Sequence, residues 1–277
     1  MDYRALVRDV IESYRVSPID MLGTGDLEGE YVYLRSQADS YVRTVREVDT
    51  LCISDRSDRH ILELGSFLGP VSISLKRIGY DVSALDIPEF YECASLRTLY
   101  EAHGIPYCGV NLNHLPLPYA SNSFDVVIAC EVLEHLNFNP LPVLQEINRV
   151  MKTDGYVYIG MPNQSRIVNR VKLLRGESVH NPIQYFFRQL DRNDNMIVGL
   201  HWREYTLQET ALMLELMGFA VFRKYYFKAK GCTDAGVLKA MLRDVIYSYP
   251  PFRPSQVVIG RKATAPVHNF WLTEANS

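Results

Sequence analysis

The segment Ile61-Leu-Glu-Leu-Gly65-Ser-Phe-Leu-Gly69 constrains the fold more than any other stretch of the chain. A short apolar run ends at one glycine, and a second glycine opens a helical pattern four residues later. A strand–turn–helix of this kind aims free helix N–H groups at the mouth of the turn. A residue without Cβ also lets the backbone come close to a bound molecule. The next apolar run, Val82–Leu85, ends in Asp86, 21 residues after Gly65. A carboxylate at that point is placed to accept hydrogen bonds from both ribose hydroxyls of an adenosine.

The rest of the chain repeats this alternation. Strands are expected at 61–64, 82–85, 125–130, 156–160, 220–227 and 256–261, and helices at 69–78, 92–103, 140–151, 206–217 and 236–247. The alternation predicts a mostly parallel α/β sheet covered by helices on both faces. Two helices come first, over 1–15 and 31–52, with a loop marked by Gly23, Gly25 and Gly29 between them. The second carries Leu34, Ala38, Tyr41, Val45, Val48 and Cys52 on one face. Residues 1–55 are therefore expected to form an N-terminal helical cap, and 56–277 one domain. Residues 164–200, with the basic stretch RIVNRVKLLR and the polar patch RNDN, are expected as an insertion after the fifth strand.

Composition excludes several classes. The chain has 277 residues, 47% of them hydrophobic and 22% charged, which suffices for a core without disulfides. Its net charge of −3 argues against a general nucleic-acid binder. The five cysteines include no C-x-x-C pair, so free thiols and a reducing, cytoplasmic setting are expected. The charged N-terminus does not read as a signal peptide, and no apolar run is long enough for a membrane span.

The glycine loop and Asp86 fit either a nicotinamide dinucleotide or S-adenosylmethionine. A dinucleotide site favours G-x-G-x-x-G, and Phe67 stands at its middle glycine, which disfavours a pyrophosphate. The segments ILELGSFLG, SALDIP, LPLPYASNSFDVVIACEVLEHL and EINRVMKTDGYVYIGMPN resemble the successive motifs of class I S-adenosylmethionine-dependent methyltransferases. The likeness spans about 58–163 and resumes at HWREYTLQETALMLELMGF, 201–219. It implies a Rossmann-like, seven-stranded sheet with a reversed C-terminal hairpin. It also implies that Glu63, Gly65, Ser66, Phe67 and Gly69 line the amino-acid end of the cofactor. Asp86 would hold the ribose, Ile87, Asn111 and Leu112 the adenine, and Glu131 the methionine portion. Phe67 departs from the family's G-x-G-x-G loop.

Chemistry is expected at Glu131-Val-Leu-Glu134-His135. If that turn is helical, positions i, i+3 and i+4 share a face, and two carboxylates meet an imidazole. E-x-x-E-H with a later histidine, here His201, resembles the metal ligands of small-RNA 2′-O-methyltransferases, and ubiquinone-pathway O-methyltransferases share much of it. Three roles stay open for Glu134, His135 and His201: a metal-free base at His135, ligands, with Glu131, of a divalent metal such as Mg, or a structural, pocket-lining role. Arg203 and Tyr205 are expected to touch substrate. The cations Arg166, Arg170, Lys172 and Arg175 on a helix mostly make a solvated face; their functional reading is an anionic or sugar-linked small molecule. The expected activity is O-methylation of a small sugar-like or glycan-precursor substrate. The alternatives are an amino-sugar N-methyltransferase, a metal-dependent RNA 2′-O-methyltransferase, and a non-catalytic cofactor-binding scaffold. Oligomeric state is left open.

Overall fold

The structure, a computed structural model, describes residues 1–21, 25, 27–52, 56–186, 200–228 and 237–267. Gly23, the RNDN patch and Cys232 lie outside the described residues.

Seven strands form one sheet in the order β3-β2-β1-β4-β5-β7-β6. They are β1 (His60–Leu64), β2 (Asp81–Asp86), β3 (Tyr107–Gly109), β4 (Phe124–Cys130), β5 (Met151–Pro162), β6 (Phe219–Phe227) and β7 (Ser255–Lys262). The first five run parallel, and β7 lies antiparallel between β5 and β6, which is the expected reversed hairpin. β1 and β4 are buried along almost their whole length, as a central parallel strand must be.

The helices are α1 (Tyr3–Val16), α2 (Leu27–Leu51), α3 (Pro70–Arg77), α4 (Pro88–Glu92), α5 (Ala94–Ala102), α6 (Leu141–Val150), α7 (Ile167–Leu174), α8 (Leu207–Leu216) and α9 (Val237–Ile246). Two local expectations change. The helix expected over 92–103 is α5, and a short helix not expected there, α4, precedes it, separated by Cys93 in an extended conformation at ψ 108°. The strand β3 has only three residues, too few to show a period in the sequence. Thr206 starts α8 with a reciprocal capping box to Glu209. Of the expected insertion, α7 and a short 3-10 turn over Ile183–Phe186 are described, and 187–199 lie outside the described residues. Cys52, Cys93, Cys108 and Cys130 are free thiols. No helix among the described residues is long and apolar enough to cross a membrane.

The two N-terminal helices are anchored by charge as well as by the predicted apolar stripe. Leu34, Tyr41, Val45, Val48 and Cys52 of that stripe are buried. Asp49, at the end of α2, is wholly buried and accepts from Tyr3 Oη at 2.6 Å and Tyr80 Oη at 2.8 Å. Arg56 closes on the same carboxylate with Nε at 2.7 Å and Nη2 at 2.8 Å. Two residues earlier, Glu47 accepts from Arg223 at 2.6 Å and Tyr225 at 2.8 Å on β6. These two acids fix α2 at both flanks of the sheet.

Burial opposes ionisation of Asp49, but Arg56, Tyr3 and Tyr80 outweigh it and hold the carboxyl below its usual range. A carboxyl lowered in the folded state stabilises above its unfolded value and loses that contribution as pH falls through the folded one. Asp49→Ala strips three donors of their buried acceptor and is expected to lower the unfolding free energy by about 3–5 kcal/mol. The difference from wild type should be full near pH 7 and shrink in acid, which urea titrations at both pH values would measure.

Candidate active site

The sheet order changes direction between β1 and β4, and open α/β sheets bind ligands outside the strand ends at such a switch. Both loops that leave this point carry strained backbone. Gly65 (φ 67°) and Gly69 (φ 75°) adopt left-handed conformations after β1. A Cβ on Gly65 would stand 2.6 Å from Val132 Cγ2, so no other residue fits there without displacement. Phe67 lies between them at φ 50°, a conformation glycine adopts without strain.

Asp86 organises this loop. Its carboxylate accepts the Phe67 N–H at 2.6 Å and the Ile87 N–H at 2.8 Å. Burial raises it to about 6 against the pull of those two donors. Val110 N–H bonds to the Asp86 carbonyl at 2.7 Å, which draws Asn111 and buried Leu112 to the end of β2. Asn111 Oδ1 is taken up by the Asn113 N–H at 2.9 Å. Glu63 and Ser66 sit deeper than the resemblance implies. Glu63 is 4% exposed, accepts from Ser72 Oγ, and is raised to about 8 by burial. Ser66 is 1% exposed. Gly65, Phe67, Asp86 and Ile87 thus share the mouth of the loop, with Glu63 and Ser66 behind them.

After β4 the expected helical face is absent. Glu131 takes a left-handed φ of 56°, and only Leu133–His135 form a 3-10 turn. Convergence comes from elsewhere in the chain. Trp202 N–H donates to the Glu134 carbonyl at 2.7 Å, and His135 Nδ1 lies 3.0 Å from the Leu200 carbonyl. These bonds bring His201 beside His135, with ring centroids 4.8 Å apart and edge-to-face. Ligand atoms of Glu134, His135 and His201 lie within 4.8 Å of one another. Glu131 stands outside that group, within electrostatic reach of Glu134 and His201.

The tautomers follow from the partners. A carbonyl only accepts, so His135 carries its proton on Nδ1 and presents the Nε2 lone pair. His201 Nδ1 lies 3.0 Å from Glu204 Oε1. Glu204 remains a carboxylate, since His201, Arg166 and Asn169 overcome its burial and bring it down to about 2. His201 therefore donates from Nδ1 as well. Burial, with His201 alongside, pulls His135 down to about 4, so it is neutral near pH 7. Glu134 is fully buried, and neither of its carboxyl oxygens has a hydrogen-bond partner. Burial, and then the Glu131 carboxyl nearby, push it well above the carboxylate range, and burial raises Glu131 too.

Glu204 was not singled out in the sequence, yet it holds the site together. Arg166 grips it with two bonds of 2.7 and 2.9 Å, and Asn169 adds a third at 3.0 Å. Its spacing of three residues from His201 was the available signal. Arg166, grouped in the sequence with cations that would face substrate, instead supports this acid. The two expected substrate contacts stack on each other, with Arg203 Cζ 5.0 Å over the Tyr205 ring. Tyr205 is 4% exposed, packed in the core and bridged to Asn163. Arg203 is exposed and pairs with Glu209 at 2.9 Å.

Comparison with known proteins agrees with this geometry. A family model described as a methyltransferase domain matches residues 62–159. An uncharacterized protein of Methanocaldococcus jannaschii is 32% identical over 87 residues, covering 31% of this chain and 35% of that protein. A ubiquinone biosynthesis O-methyltransferase of Xanthomonas oryzae pv. oryzae is 28% identical over 112 residues, 40% of this chain and 46% of the relative. One from Proteus mirabilis is 26% identical over 146 residues, 51% and 56% respectively. The chain thus spans roughly a third to a little over half of the length of these curated relatives. Among solved structures, an S-adenosylmethionine-dependent methyltransferase of Mesorhizobium loti superposes with TM-score 0.53 at 16% identity, covering 82% of this chain and 97% of that one. One from Archaeoglobus fulgidus gives 0.52 at 15%, covering 84% and 100%. Residues 62–159 thus match a methyltransferase domain, and the strand order and glycine loop give the chain the fold of these S-adenosylmethionine-dependent methyltransferases.

Proposed function

We propose that the chain transfers the methyl group of S-adenosylmethionine to a hydroxyl oxygen of a small, sugar-like substrate. The observation that carries this reading is the convergence of Glu134, His135 and His201, with both imidazoles fastened through Nδ1 and both Glu134 oxygens unpartnered. An amine acceptor arriving neutral would need no such apparatus, whereas a hydroxyl must lose a proton as it attacks. The ubiquinone biosynthesis O-methyltransferases among the relatives support oxygen as the acceptor.

The residues present suit a divalent metal. Imidazoles that donate Nδ1–H to a carbonyl or a carboxylate are oriented to ligate through Nε2. A buried carboxyl with no hydrogen-bond donor gains most from a cation. Glu134, His135 and His201 would hold such an ion, with Glu131 beside them. When bound, the ion would lower the pKa of the substrate hydroxyl. Of the roles left open by the sequence, ligation suits His135 better than base catalysis. A base near 4 takes a proton poorly at neutral pH, while a neutral imidazole is ready to ligate.

The transfer itself is an in-line displacement. The hydroxyl oxygen forms a bond to the methyl carbon, and the carbon–sulfur bond breaks with its electron pair returning to sulfur. S-adenosylhomocysteine leaves as a neutral thioether, and the hydroxyl proton is given up. Glu131, within electrostatic reach of Glu134 and His201, would receive it. Asp86 is oriented toward the ribose by the Phe67 and Ile87 amides, and α2 closes over the loop through Tyr33.

His135→Ala is expected to abolish turnover while S-adenosylmethionine still binds, as calorimetry would record. Exhaustive chelation should stop turnover and added Mg²⁺ restore it. Full activity after chelation would discard the ion and leave His135 as the base. Glu204→Ala releases His201, and metal affinity should fall by about 10- to 100-fold with cofactor affinity unchanged. Asp86→Ala should weaken cofactor binding by roughly 10-fold or more, the loss of a charged acceptor. In wild type, cofactor affinity should decline as pH falls through about 6, where Asp86 gains its proton.

A further inference from the structure

Phe67 is the position at which this chain departs from the glycine loop it otherwise resembles, and its geometry gives the departure a purpose. Its N–H is held by Asp86 at 2.6 Å and its carbonyl by Tyr100 Oη at 3.0 Å. With both ends of the residue fastened, the ring has a fixed direction. It meets Tyr33 of α2 edge-to-face, centroids 5.6 Å apart at 76°, and is backed by Phe90 at 5.9 Å. Neither ring of the front pair is swallowed by the core. Phe67 is half-buried, and Tyr33, in the second turn of α2, is 41% exposed. Tyr33 also lies within electrostatic reach of Glu131 and Glu134. The pair therefore bridges the loop after β1 and the acids after β4, across the switch point of the sheet.

We infer that the Phe67–Tyr33 pair is the cation-selective face of the cofactor pocket, which holds the positive sulfonium of S-adenosylmethionine and lets the neutral thioether product go. The inference rests on the cofactor reading above and adds a residue-level source of discrimination. Aromatic faces attract cations through the ring quadrupole, and a desolvated contact is worth about a 2- to 30-fold change in affinity. S-adenosylmethionine and S-adenosylhomocysteine share the adenosine and the amino-acid end and differ by one methyl and one charge at sulfur. The ratio of their affinities therefore isolates whatever touches the sulfonium. The carboxylates near Tyr33 also favour a cation, but they stay in place when a ring is removed, so the contribution of the rings can be measured alone.

The test is calorimetric titration of the full chain with S-adenosylmethionine and with S-adenosylhomocysteine. Wild type is compared with Phe67→Leu, Tyr33→Leu and Tyr33→Phe. Leucine at position 67 meets the same positive φ as phenylalanine, so it adds no new kind of backbone demand. Should that variant fail to fold, the Tyr33 series carries the test, because its side chain leaves α2 on a partly open face. Both leucine variants are expected to reduce the preference for S-adenosylmethionine by about 2- to 30-fold, with affinity for S-adenosylhomocysteine little changed. Tyr33→Phe, which keeps the ring, should keep the preference. Equal weakening of both ligands, or no change in either, would overturn the inference and leave the rings as packing. A wild-type protein that binds neither ligand would overturn the cofactor reading, and this inference with it.

Discussion

Two hydrogen bonds that run in opposite directions between distant segments assemble the site. The Trp202 N–H reaches the Glu134 carbonyl, and the His135 Nδ1–H reaches the Leu200 carbonyl. Sixty-five residues separate His135 from Leu200. The turn after β4 and the segment before α8 are each irregular by themselves. Stitched together, they satisfy each other's buried polar groups and set the two imidazoles edge-to-face. His201 is then locked from the far side by Glu204, which Arg166 and Asn169 hold in turn. Every bond in this chain of contacts constrains the next.

The charge balance around that seam is uneven in an informative way. Glu204 is surrounded by donors and stays ionised. Glu134, nearby, has no donor for either oxygen and faces another carboxyl. Native proteins seldom leave a buried carboxyl in that state, and the cost is accepted where function needs a group that a ligand will complete. The contrast assigns the two acids different work: Glu204 orients a ring, while Glu134 keeps its lone pairs unspent.

Much of the fold was legible because period and length carry it. The buried strands β1 and β4, the stripe on α2 and the glycine loop all announce themselves locally. β3 was silent at three residues, and the five residues of α4 were too few to show a period although Pro88 opens them. In the site, His201 was paired with His135 through resemblance alone, and the helical turn expected to align Glu131, Glu134 and His135 is only a 3-10 turn over Leu133–His135. Backbone carbonyls bring the two histidines together, and no side-chain pattern encodes which carbonyl a histidine will find. Glu204 was passed over for the same reason. A glutamate three residues after a histidine is common, and only the fold reveals that Arg166 was drawn to it rather than to solvent. Tyr205 drew notice by type, yet its place is the core.

Phe67 shows how a departure from a pattern can remain consistent with the fold. A β-carbon at φ 50° costs about 1 kcal/mol or more relative to glycine. Asp86 and Tyr100 offset that cost by fastening the residue's N–H and carbonyl. The same Asp86 carboxylate is the one proposed for the ribose, so that on this reading loop geometry and cofactor recognition draw on one group. Tyr33 then extends the coupling to α2, whose far end is fixed by Asp49 and Glu47. The N-terminal helices are for this reason more than a lid laid on a finished domain. Their charged anchors set where Tyr33 stands, Tyr33 meets the ring of Phe67, and Phe67 shapes the loop that the cofactor must enter.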